Sequence, residues 1–92
     1  MIRSWKDKWA EALFKGERVR AYRSFASIAL RKLDLVDAAT ALSDLRAPPG
    51  NRLEALRGDR TGQHSIRIND QWRICFVWRE DGAEQVEIVD YH

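Results

Sequence analysis

The hydrophobic period of this chain changes once, at Ala47-Pro48-Pro49-Gly50, and that change constrains the fold more than any other feature. Before it, Phe25, Ile28, Ala29, Leu33, Val36, Ala39 and Leu42 recur at helical spacing through residues 24–45, with Ser24 or Ser27 as the N-cap and Asp34 or Asp37 as points where the run has room to break. An earlier run, residues 7–14, repeats Trp9, Ala12 and Leu13 at the same spacing and stops at Lys15-Gly16, where Gly16 supplies a left-handed cap. Tandem prolines then forbid further helix, and Gly50 permits a turn.

Beyond that point the period is two. Ile66 and Ile68 alternate with Ser65 and Arg67, Asn69-Asp70 makes a turn, and Trp72, Ile74, Phe76 and Trp78 alternate with Arg73, Cys75, Val77 and Arg79. Glu80-Asp81-Gly82 turns the chain again, and Val86, Ile88 and Asp90 alternate with Glu87, Val89 and Tyr91. Shorter strands are expected within 2–5 and 52–56. The expectation is an α+β fold of two layers: two or three N-terminal helices on one face of a small, mostly antiparallel sheet. At 92 residues the chain is one domain, 1–92, and its 45% hydrophobic content suffices for one core. The four tryptophans fall at helix and strand periodicity, which reads as core packing, and Cys75, among Ile74, Phe76 and Val77, reads as a small core filler.

Function classes narrow in the same way. There is no run of 18 apolar residues, hence no membrane span, and the charged opening Met1 to Lys8 lacks a secretion signal's apolar stretch, which places the chain in the cytoplasm. No metal-ligand spacing, nucleophile elbow or phosphate-cradling glycine loop occurs, so no metal and no cofactor are expected. The basic residues from Arg46 to Arg79 are all arginines: Arg46, Arg52, Arg57, Arg60, Arg67, Arg73 and Arg79, against Glu54, Asp59 and Asp70. Guanidinium forks suit bidentate phosphate contacts. With Trp72, Ile74 and Phe76 turned to the helices, Arg73 and Arg67 fall on the opposite, open face, a surface for a polyanion. Arg52, Arg57 and Arg60 are further phosphate-binding candidates.

Asp90 and His92, two apart on a strand, leave one side about 6.6 Å apart, on a run expected to carry them past the apolar layer toward the arginines. RNA backbone cleavage needs a group to take the 2'-OH proton, cations for the phosphate's growing charge and an acid for the leaving 5'-oxygen. A carboxylate, an imidazole, a phenol and several guanidiniums are a sufficient set, and a non-catalytic RNA-binding or adaptor module using the same arginines is the alternative. His64 reads as a turn residue.

The segments Pro48-Pro49-Gly50-Asn51-Arg52-Leu53, Gly58-Asp59-Arg60, Asn69-Asp70-Gln71-Trp72-Arg73-Ile74 and Asp90-Tyr91-His92 resemble the HigB branch of the RelE-like toxins, and the resemblance spans essentially the whole chain. It implies a toxin of a type II toxin-antitoxin pair that cleaves messenger RNA in the ribosomal A site without a metal. Asp90, Tyr91 and His92 would be active-site residues and Arg73 would bear on the scissile phosphate. Some members carry a histidine and a lysine where this chain has Glu54 and Arg57. Glu54 would then either replace an imidazole as proton acceptor or pair with Arg52 or Arg57, and Arg57 would keep the cation. The implied partner is a helix-turn-helix antitoxin of the HigA type, through which alone the pair would reach operator DNA, and a transcriptional co-repressor acting only with that antitoxin is the other alternative function.

Overall fold

A computed structural model describes residues 1–90. Helix α1 is Lys8–Phe14 and α2 is Ala26–Ala38. The strands are β1 Glu54–Ala55, β2 His64–Arg67, β3 Trp72–Arg79 and β4 Gly82–Asp90, paired antiparallel in the order β1-β2-β3-β4. Both helices lie on one sheet face, where Leu13, Leu33 and Val36 meet Ile66, Ile74, Phe76 and Val86 in one buried core. The two-layer α+β expectation holds.

Local chemistry explains where the helices start and stop. The Asp7 carboxylate caps α1 by accepting from the Trp9 amide at 2.9 Å, and Gly16 ends the run at φ +92°. The other Asp7 oxygen accepts from the Tyr22 hydroxyl at 2.9 Å, and burial together with this carboxylate pushes the Tyr22 phenol well above its usual pKa. The α2 N-cap is Phe25, which makes no side-chain capping bond, so neither expected serine caps it. The helix is also shorter than its stripe. Asp44 Oδ2 accepts from the Thr40 and Ala41 amides at 3.0 and 3.1 Å, giving those donors a partner outside the helix. The chain therefore turns extended at Ala39 and re-forms a 3-10 turn at Leu42–Arg46, keeping Ala39 and Leu45 in the core.

Further departures concern the ends and the tryptophans. Residues 2–5 form no strand of their own but two parallel bridges to β4, Ile2 to Ala83 and Trp5 to Val86. In α1 the buried positions are Ala10 and Leu13, which turns Trp9 outward, 57% exposed, with Lys8 beside its ring. Trp72 packs as expected, stacked on Phe25 at 5.1 Å. In β4 the register slips by one residue opposite Phe76, where Gln85 takes φ +53°. This bulge lets Ala83 and Val86, three apart, both enter the core.

Candidate active site

Arg73 and Arg67 are direct cross-strand partners on the sheet face away from the helices. Like charges placed opposite one another repel, so such a pair persists only with anions in reach. Each arginine has one: Arg67 bonds Asp70 across the β2–β3 turn, and Arg73 Nη2 lies 3.2 Å from Glu54 Oε1. The Glu54 ion pair is thus with Arg73, not with Arg52 or Arg57.

Arg73 is held more tightly than an ion pair alone would hold it. Its Nε donates to Ser65 Oγ at 2.8 Å and its Nη2 to the Arg52 carbonyl at 2.7 Å, leaving the side chain 11% exposed while Glu54 stays 53% exposed. Ser65, which pairs across the sheet with Cys75, is fully buried. The Arg52 carbonyl is presented by a left-handed backbone, φ +46°, at the end of the Pro49–Asn51 turn. That turn is knotted by Asn51, fully buried, whose amide donates to the Leu45 and Ala47 carbonyls at 3.2 and 3.1 Å and whose Oδ1 accepts from Lys32. Burial, with Arg31 and Arg67 adding to it, lowers the Lys32 pKa.

This face is therefore roofed where an open one was expected. Ser65 and Cys75 are fully buried beneath Arg73 and the Arg60–Glu87 pair, 3.0 Å apart, and burial pushes the Cys75 thiol up. Arg60 also donates to Gln63 Oε1 at 3.1 Å, which ties it into the structure. Arg57 and Arg52 are exposed at the rim, and Arg57 has no ion pair among the described residues.

Asp90 sits elsewhere than expected. Its partner across the sheet is Trp72, so register places it on the side of Trp72, Ile74 and Ile88, while Val89 is the residue opposite Arg73. It is exposed there, and its Oδ2 accepts from Gln71 Nε2 at 3.1 Å. The period-two rule carries it to this side because the Gln85 bulge lies upstream and the pairing beyond it is regular. Tyr91 and His92 lie outside the described residues.

A cleft of about 440 Å³ adjoins Glu54, lined also by Leu42, Ser43, Arg46, Leu53, Ala55 and His64. A groove of about 530 Å³ lies on the helix layer around Leu13, Val19, Arg20 and Arg23, away from Arg73. Sequence reasoning missed Ser65 and Asn51. The available signal was a polar residue at a strand position facing its arginine neighbour, and an asparagine directly after tandem proline and glycine.

This helix-backed antiparallel sheet is shared with YoeB toxins. YoeB in the YoeB-YefM toxin-antitoxin complex from Staphylococcus aureus superposes with a TM-score of 0.58 at 16% identity, covering 100% of this chain and 98% of that one. The YoeB dimer from the same organism gives 0.56 at 16% identity, covering 99% and 97%. Residues 3–92 match the family described as RelE-like toxin of type II toxin-antitoxin system HigB, and the chain belongs to that family. Toxin HigB-1 of Vibrio cholerae is 46% identical over 100% of this chain and 98% of its own. Endoribonuclease HigB of Proteus vulgaris is 32% identical over the full length of both. No helix among the described residues is long and apolar enough to cross a membrane.

Proposed function

We propose that this toxin is a ribosome-dependent endoribonuclease that cleaves messenger RNA in the A site by attack of a 2'-OH on the adjacent phosphorus, with no metal taking part. The observation that carries the reading is Arg73: a guanidinium fixed by Ser65, Arg52 and Glu54, with a half-exposed carboxylate 3.2 Å from it. A cation fixed before substrate arrives loses little entropy when a phosphate docks, and is stronger on the charge that develops in the transition state than a mobile one. The Proteus vulgaris relative's name, endoribonuclease, supports the same chemistry.

In this reading the scissile phosphate docks against the Arg73 guanidinium, with Arg67 opposite it in the sheet and the exposed Arg57 and Arg52 holding flanking phosphates. Arg60, tied to Glu87, contributes field. Glu54 takes the 2'-OH proton as the oxygen bonds phosphorus and His92 gives a proton to the departing 5'-oxygen, with Tyr91 supporting that transfer; Asp90, on the Trp72 side of the sheet and bonded to Gln71, acts on the end of β4 and not on the phosphate. The products are a 2',3'-cyclic phosphate and a 5'-hydroxyl. A helix-turn-helix antitoxin silences the activity, and the pair meets operator DNA through that partner.

The test is cleavage mapping on translating ribosomes with purified protein. Cuts confined to A-site codons, present with chelator and lost in His92→Ala while ribosome binding persists, are expected. Undiminished cutting by His92→Ala would refute the mechanism, and ribosome binding without any cleavage by the wild type would leave a binding module instead.

A further inference from the structure

The cleft beside Glu54 is unused by the cleavage chemistry, although Glu54 itself belongs to both. Its walls include Leu42 and Leu53, both partly buried against the core, and its polar groups include Ser43 and Arg46, both exposed. Neither Ser43 nor Arg46 has a side-chain hydrogen bond or ion pair among the described residues, and both line the cleft. His64 contributes its ring. Its Nδ1 is buried without a hydrogen-bond partner, a rare state for a polar atom.

Apolar walls with a few polar groups at fixed positions are what an unstacked base requires. Single-stranded RNA is read by splaying bases out, packing their faces on side chains and bonding their edges. A site for phosphate alone has no use for Leu42 and Leu53, and a site for an acidic peptide would not share a wall with Glu54. The volume, about 440 Å³, falls at the small end of ligand clefts. We propose that this cleft is a nucleobase subsite, taking the base of a nucleotide beside the phosphate held at Arg73. The subsite rests on the RNA-cleaving reading above.

The experiment uses the full chain and 2'-O-methyl RNA trinucleotides, which cannot supply the nucleophile, each compared with versions lacking one base at each position in turn. Wild-type protein is expected to lose about tenfold in affinity when one particular base is removed. Ser43→Trp, an exposed position where a larger ring fills the cleft, should abolish that difference, and Arg46→Ala should shrink it. The His64 ring resonances should shift on binding only when the base is present. Equal affinity for intact and abasic strands in the wild type, or an undiminished difference in Ser43→Trp, overturns the subsite. Cleavage by the wild type is scored separately: a nuclease showing no base-dependent binding loses the subsite alone, and base-dependent binding without cleavage retains the subsite and removes the nuclease.

Discussion

A guanidinium nine-tenths buried, with donors on a hydroxyl, a carbonyl and a carboxylate, has its orientation set by its neighbours and not by solvent. Charge and shape at Arg73 are therefore separable by substitution. Arg73→Lys keeps the charge and loses the fork, so single-turnover cleavage should fall about 100-fold while RNA affinity changes far less. Ser65→Ala strands the Nε–H beneath the sheet face, and thermal or urea unfolding should show a loss of about 1–2 kcal/mol. Glu54 needs a pH profile. If it is the base, Glu54→Gln should slow cleavage and flatten the acidic limb of the rate profile, whereas an unchanged limb would assign Glu54 to holding Arg73.

At the level of elements, the strands were legible because period-two alternation is a local signal that burial on one face enforces. Trp72 to Arg79 and the Asn69-Asp70 turn appear where the alternation places them. Residues 39–45 were not legible, because a stripe at helical spacing does not reveal that a carboxylate four residues ahead will take the amides of Thr40 and Ala41. Asp90 was misplaced for a related reason: alternation says which residues share a side, and only the register with Trp72 says which side it is. The pair Arg67 and Arg73 was legible from one turn and two alternating runs, but the hold on Arg73 was not, since Ser65 and the Arg52 carbonyl reach it from separate segments.

Two predictions belong to these elements. The Thr40 and Ala41 amides hold the Asp44 carboxyl below its usual pKa, so its contribution is present above the unfolded value and is lost as pH falls through the folded one. Asp44→Asn should accordingly lower the melting temperature at neutral pH and narrow its gap from the wild type in acid. Asn51→Ala leaves two carbonyls and Lys32 without their partner, and should cost about 3 kcal/mol in urea unfolding. Because the same turn presents Arg52, that variant should also lose cleavage rate under conditions where it remains folded.

For the whole molecule, the charge is modest, +2 over 92 residues, so the proposed attraction for RNA has to come from the placement of the arginines and not from total charge. Each rim arginine that meets a phosphate adds to the salt dependence of binding. Arg57→Ala should weaken RNA binding at every sequence alike and reduce the slope of log affinity against log salt by about one.

The bridges from Ile2 and Trp5 to β4 tie the beginning of the sequence to a strand about eighty residues later. Contacts of that separation form late, because the intervening loop must close before they repay its entropy. On a translating ribosome the first residues emerge long before their partner strand, and β3 waits for its outer neighbour in the same way. A chain lacking Gly82–Asp90 holds Arg73 in an unfinished sheet, so the guanidinium takes its fixed place only once β4 has paired with β3.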